Sequence, residues 1–127
     1  MRRMTITAVL SLLLVLSLSL ICARFTRHRV DEMRQATEQI VLTMRAEDWE
    51  GALGQIHRMT RQWEQESDLL ALWSHHGDLE TIRIALARLQ ASVEESERFS
   101  SLLYAAELTD ALELMDERDV LSLKNIF

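Results

Sequence analysis

The chain has 127 residues, with no proline, three glycines, one cysteine and 27% charged residues. It therefore lacks the turn-forming residues of β-sandwiches and barrels, and one cysteine excludes a disulfide-stapled miniprotein. The formal net charge is −6, but residues 1–23 hold two arginines and no acid, so residues 24–127 carry 12 basic against 20 acidic side chains, a net charge of −8. Such a charge should repel nucleic acid and anionic lipid. The composition predicts an all-α protein.

The segment Met4–Ala23 consists of twenty uncharged residues. At a rise of 1.5 Å per residue, a helix of that length matches the roughly 30 Å hydrocarbon core of a bilayer. Arginines before the segment also suit a cleaved signal peptide, but the run exceeds the 7 to 15 residues usual there, and residues 20–23 put branched side chains where a peptidase needs small ones. We therefore predict an uncleaved anchor, residues 1–29, that crosses the cell membrane once. A cleaved signal peptide is the alternative.

Charge alone leaves the orientation of this span open. Arg2 and Arg3 precede the span, whereas four arginines follow it closely, and the positive-inside rule then favours a cytoplasmic C-terminal domain. The N-terminal tail is, however, too short to be a good substrate for translocation. No ionisable side chain lies inside the span, which argues against a transporter or a proton relay. The four following arginines are Arg24, Arg27, Arg29 and Arg34.

Residues 30–127 are predicted to form a small antiparallel bundle of three to four helices. The first of these helices continues out of the span, because neither glycine nor proline occurs between Ala23 and Arg45. Whether its apolar face packs within the chain or against a second chain stays open. The positions of that face recur at intervals of three and four: Val30, Met33, Thr37, Ile40 and Met44.

Three further helices are expected. The second begins near Asp48, whose carboxylate suits an N-cap, and ends at Gly77; the third begins with Asp78 as its cap. A polar interruption at residues 92–101 separates the third from the fourth. The predicted buried positions are Trp49, Ala52, Ile56, Met59, Trp63, Leu70 and Trp73 in the second helix, Leu79, Ile82, Leu86, Leu89 and Val93 in the third, and Phe99, Leu102, Leu103, Ala106, Leu112 and Met115 in the fourth.

The densest polar cluster holds His75, His76, Asp78 and Glu80. A metal site is one hypothesis, but adjacent histidines on a helix point about 100° apart, so only one could face a given ion. Helix capping and the helix dipole account for the same residue types, with a histidine ending the second helix and acids opening the third. We therefore predict no metal or cofactor. A metal- or small-ligand-binding sensor that uses these four residues is the alternative function.

No sequence motif of a known catalytic site is present. GxSxG, P-loop, HExxH and CxxC patterns do not occur in the chain, so we do not expect an enzyme. Tryptophans at helical spacing more often fill a core than line a ligand groove, so Trp49, Trp63 and Trp73 are predicted to be core residues.

Several short segments resemble one protein family. They are Asp48-Trp49, Trp63, the stretch His76-Gly77-Asp78-Leu79-Glu80-Thr81-Ile82, and the ending Leu121-Ser122-Leu123-Lys124-Asn125-Ile126-Phe127. Over nearly its whole length the chain resembles the domain of unknown function 4363 family. The chain departs from that family's His-x-Glu-Ile-Asp-like segment at two positions, with Asp78 in place of Glu and Glu80 in place of Asp. Both changes keep the negative charge but alter the length of the side chain.

The resemblance implies a bacterial, membrane-anchored protein whose helical part faces outward, and it implies no known activity. Our main hypothesis is an extracytoplasmic interaction or scaffold module of the cell envelope. It would contact the lipid bilayer through residues 4–23 and bind a protein partner, but no nucleic acid.

Overall fold

The computed structural model describes the backbone of residues 1–125 and the side chains of residues 1–121. This part of the chain forms four α-helices, which confirms the all-α class. Each helix packs against two others: α1 and α3 both contact α2 and α4. Short connections make consecutive helices antiparallel, so the four form an up-and-down bundle. Their bounds are α1 Arg2–Arg45, α2 Trp49–Leu70, α3 His76–Glu94 and α4 Arg98–Asn125.

The helix α1 has an exposed apolar half and a half that belongs to the bundle. Its apolar window has a mean hydropathy of 2.6, and none of it is buried. By length and composition α1 could cross a membrane, although an N-terminal signal sequence has the same properties. The five predicted core positions of α1 are confirmed, and the buried face extends one turn further toward the apolar half, to Thr26.

The predicted core of α2 and α3 is largely confirmed. Trp63 is only 4% exposed, and all five predicted positions of α3 are buried. Trp49 and Trp73 are instead partly buried against the edge of the core, Trp49 at the first residue of α2 and Trp73 beyond its end. The N-cap prediction is also confirmed, because the Asp48 carboxylate accepts a hydrogen bond from the Gly51 amide at 3.0 Å.

The predicted boundary between the second and third helices is wrong. The helix α2 ends at Leu70, seven residues before Gly77, and the N-cap of α3 is His75 rather than Asp78. The imidazole Nδ1 of His75 accepts a hydrogen bond from the Gly77 amide at 3.1 Å. Residues 71–75 lie between the two helices, with Ala71 still in the helical region and His75 extended, and Gly77 lies inside α3 without a positive φ.

The predicted phase of the fourth helix is wrong in its first half. Phe99 is 82% exposed, and Leu103 and Ala106 are also exposed. The buried face begins with Ser101, whose hydroxyl donates a hydrogen bond to the Ser92 hydroxyl at 3.1 Å, and ends with Asp119. Because this buried face begins and ends with polar residues, the spacing of apolar residues alone does not identify it. Its positions are Ser101, Ala105, Leu108, Ala111, Leu112, Met115 and Asp119.

The α1–α2 and α3–α4 connections share one backbone geometry, at the end of the bundle opposite the apolar half of α1. After α1, the amides of Glu47 and Asp48 bond to the carbonyls of residues 44 and 43, and after α3 the amides of Ser96 and Glu97 bond to those of residues 93 and 92. This is the Schellman pattern of helix termination. Glu47 and Ser96 take its left-handed position, with φ of 62° and 53°, although glycine is the usual residue there.

Candidate functional site at the span-proximal end of the bundle

Polar side chains converge at the end of the bundle from which the apolar half of α1 projects. The alternating helix directions bring together the start of the buried face of α1, the α2–α3 connection and the end of α4. Thr26, Ser74 and Asp119 contribute buried side chains from these three elements, and Trp73 is partly buried beside them. We refer to these four residues as the polar network.

The Asp119 carboxylate is the centre of the polar network. Its Oδ2 atom accepts hydrogen bonds from the Ser74 hydroxyl at 2.5 Å and from the Thr26 hydroxyl at 3.2 Å. The Thr26 oxygen in turn accepts a hydrogen bond from the Trp73 indole N–H at 2.8 Å. One carboxylate oxygen therefore ties together α1, α4 and the α2–α3 connection.

An aromatic contact strengthens the same junction. The rings of Phe25 and Trp73 meet edge to face, with centroids 5.7 Å apart and planes at 81°. The Arg29 guanidinium lies over the Phe25 ring, 5.3 Å from its centroid, and forms an ion pair with Glu66 of α2 at 2.8 Å. Such aromatic and cation–π contacts fix the orientation of Trp73 and hence of the connection that carries it.

Asp78 is a second buried carboxylate near this end. It is 6% exposed, and its Oδ1 atom accepts a hydrogen bond from the Arg118 guanidinium at 3.0 Å. Its other oxygen is buried without a hydrogen-bond partner. The ion pair between Asp78 and Arg118 joins the first turn of α3 to the last part of α4. Arg118 directly precedes Asp119 in the chain.

The structure does not bring the four candidate ligands of the sensor hypothesis into one site. His75 caps α3, Asp78 binds Arg118, and Glu80 binds Arg83 on the exposed side of the same helix. His76 is the first residue of α3, so the expected position of a histidine at the C-terminus of α2 is wrong. Within the described residues, no group of three or more His, Cys, Asp or Glu side chains is placed to hold a metal ion.

Burial raises the pKa of Asp119. The hydrogen bonds from Ser74 and Thr26 act in the opposite direction, while the nearby carboxylates of Asp78 and Asp116 raise the pKa further. Burial also raises the pKa of Asp116, against the attraction of Arg27. The folded bundle therefore holds protons on these groups more tightly than the unfolded chain does.

The contribution of these two carboxyls to the stability of the bundle should therefore fall as the pH rises. A carboxyl with a raised folded-state pKa contributes stability that is complete below its ordinary pKa of about 4 and is lost as the pH rises through the folded-state value. We expect wild type to lose stability relative to Asp119→Asn as the pH rises above the ordinary aspartate pKa of about 4. Chemical denaturation of both proteins in micelles below and above that pKa measures the difference, and parallel curves would show that Asp119 is not the titrating group.

Comparison with protein families identifies the group to which the chain belongs. A family model described as a domain of unknown function, DUF4363, matches residues 20–126. The chain belongs to this family. The DUF4363 match covers the last turn of the apolar segment together with the helical bundle, including all four residues of the polar network. No curated protein and no solved structure matches the chain significantly.

Three of the four residues of the polar network, Thr26, Ser74 and Asp119, are not among the site residues predicted from the sequence. Thr26 lies four residues before Val30, and Asp119 lies four residues after Met115, so both continue an apolar stripe by one further turn. A polar side chain at the end of such a stripe is the signal that could have identified them. Ser74 has no comparable signal, because its position depends on where α2 ends. Trp73 was recognised, but as a core residue.

Proposed function

We propose that this protein is a non-catalytic, single-pass membrane protein whose helical bundle lies outside the cytoplasm and acts as an interaction or scaffold module of a bacterial cell envelope. The observation that carries the proposal is the continuity of α1, which joins an exposed apolar half directly to a buried face of the bundle. The remaining helices form one core on this face, so whatever holds the apolar half also positions the bundle.

The exposed apolar half supports insertion into lipid. Its leucine, isoleucine and valine side chains form a surface far larger than the few hundred Å² of apolar patch that a soluble monomer usually exposes. A helix is also one of the few structures that can lie in a bilayer, since it satisfies its backbone polar groups internally. The exposed large apolar residues of the segment are Met4, Ile6, Val9, Leu10, Leu12, Leu13, Leu14, Val15, Leu16, Leu18, Leu20 and Ile21.

The same continuity favours an anchor that is retained over a signal peptide that is removed. Only two residues, Arg24 and Phe25, lie between the end of the segment, Ala23, and the buried Thr26, and the backbone there is helical. The helix that would form the span therefore leads directly into the hydrogen bonds of Thr26 with Trp73 and Asp119. The proposed location of the bundle outside the cytoplasm rests on the family resemblance described above.

Extraction of membranes with alkaline carbonate tests the anchor. The full chain should stay in the membrane pellet, and Leu13→Arg combined with Leu14→Arg should release it, because each charge at the centre of a span opposes insertion by about 2.5 to 3.5 kcal/mol. Leu42→Arg is the matched control, since Leu42 is an exposed leucine of the same helix outside the span. A wild-type chain that is released, or a mature chain that starts after residue 23, would contradict the proposal.

Two further measurements test the location and the role of the bundle. An alkaline phosphatase fused after residue 127 should be active, because the bundle is proposed to lie outside the cytoplasm. If the phosphatase is inactive and a reporter that works only in the cytoplasm is active at the same position, the bundle lies on the cytoplasmic side. Crosslinking of intact membranes followed by purification should recover the chain with a second protein. Recovery of the chain alone, together with normal assembly of envelope complexes after deletion of the gene, would contradict the scaffold role.

A further inference from the structure

The span-proximal end of the bundle exposes apolar side chains close to the proposed membrane. Leu72, at the tip of the α2–α3 connection, is 77% exposed, and Leu121, near the end of α4, is 58% exposed. Both flank the polar network, since Leu72 precedes Trp73 and Leu121 follows Asp119 by two residues. We call the connection 71–75 together with the α4 segment 119–125 the base of the bundle.

The hydrogen bonds of the polar network fix the height of the base above the span. The Trp73 indole bonds to Thr26, which lies three residues beyond Ala23, or about 4.5 Å further along a helix. The headgroup layer on each side of a bilayer is about 5 to 7 Å thick, from a total of 40 to 45 Å and a core of about 30 Å. The α2–α3 connection therefore lies at the depth of the headgroups when residues 4–23 fill the hydrocarbon core.

The end of α4 reaches further in the same direction. Asp119 bonds to Thr26 at 3.2 Å, and α4 runs antiparallel to α1 for six more residues, to Asn125. Six residues of helix extend about 9 Å, which brings the end of α4 past the level of Ala23 and beside the last turn of the span. Ser19, Cys22 and Ala23 are already partly buried, on the face of α1 that continues through Thr26.

The chemistry of the base suits this depth. Tryptophan is enriched at the membrane interface because its ring is apolar and its N–H is polar, and Trp73 lies at that level. Arg24 and Arg27 are exposed there on α1 and can bind headgroup phosphates. The bundle as a whole is acidic, so these arginines place positive charge where the phosphates are.

We propose that the base of the bundle is a second membrane-contact surface, with the α2–α3 connection seated in the headgroup layer of the bilayer, Leu72 directed into the lipid, and the end of α4 reaching the edge of the hydrocarbon core beside the span. This inference rests on the anchor proposed above. The bundle then rests with its base on the bilayer surface, and the base contacts the phospholipid interface rather than a protein.

Spin-label accessibility tests the contact in the full chain. In a Cys22→Ala background, a nitroxide is attached at Leu72→Cys or at Phe99→Cys, and the protein is reconstituted into phosphatidylcholine vesicles. Phe99 is the matched control, because it is an 82% exposed apolar residue at the opposite end of the bundle. The label at position 72 should collide more with oxygen than with a water-soluble nickel complex, and the label at position 99 should show the reverse.

Native tryptophan fluorescence gives a second measurement that needs no label. In vesicles of brominated phosphatidylcholine, part of the emission should be quenched, and Trp73→Phe should remove the quenched part whereas Trp49→Phe should not. If the chain remains in the membrane after carbonate treatment but the label at position 72 is as accessible to nickel as the label at position 99, the base does not touch lipid. If carbonate releases the chain, the anchor and this inference both fail.

Discussion

Replacing Trp63 with alanine is expected to lower the free energy of unfolding by about 3 to 5 kcal/mol, the usual range for removal of a large aromatic side chain from a core. Trp63 is 4% exposed in the buried face of α2. The loss combines the transfer free energy of the indole with the cavity it leaves. Because small domains are stable by only about 5 to 15 kcal/mol, this loss is a large fraction of the total, and the variant should unfold at a clearly lower denaturant concentration than wild type.

Denaturation of the full chain in detergent micelles, followed by circular dichroism, measures this loss. Leu103→Ala is the matched control, because Leu103 is a 46% exposed apolar residue of α4 and its removal should change stability only slightly. A Trp63→Ala variant that unfolds at the same denaturant concentration as wild type would show that Trp63 does not support the core. The indole would then be free to line a ligand groove.

Replacing Asp119 with alanine is expected to destabilise the bundle by about 1 to 3 kcal/mol, since it leaves buried hydroxyl groups without an acceptor. The Ser74 hydroxyl would lose its partner at 2.5 Å, and the Thr26 hydroxyl its partner at 3.2 Å. The effect should be local at first. The connection between α2 and α3 should become accessible to hydrogen exchange before the rest of the bundle, because the polar network holds it in place.

Three comparisons isolate the role of the Asp119 carboxylate. Asp119→Asn keeps an acceptor oxygen and should be more stable than Asp119→Ala. Asp110→Ala removes an exposed carboxylate from the same helix and should have little effect. In a double-mutant cycle, Ser74→Ala and Asp119→Ala should be non-additive, because each removes the same hydrogen bond. Additive losses, or equal stability of the Asn and Ala variants, would mean that the network does not support the fold.

Apolar spacing predicted most of the helical core and much less of the helix ends. The stripes of α1 and α3 were found because their apolar residues recur without interruption, as from Leu79 to Val93. The phase of α4 was misread because its buried face includes Ser101 and Asp119, whose burial depends on partners from other helices. Apolar periodicity cannot register a polar residue that tertiary hydrogen bonds bring into the core.

The candidate site was harder to predict than the fold for a related reason. The sequence draws attention to His75, His76, Asp78 and Glu80 because they are close together in the chain, whereas the observed network joins residues up to 93 positions apart. Gly77 predicts a helix end, yet α2 ends at Leu70, shortly before Trp73 and Ser74, whose hydrogen-bond partners lie on α1 and α4. Local signals carried no information about these long-range partners.

The absence of a break in α1 has a mechanical consequence for a protein anchored as proposed. From Thr26 to Arg45 the helix extends about 30 Å, and spans are tilted by about 20° on average, so a tilt of that size displaces the far end sideways by about 10 Å. A hinge would absorb this motion, but α1 has none. A change in the tilt of such an anchor would therefore move the distal turns of α1, and the helices packed on them, as one body.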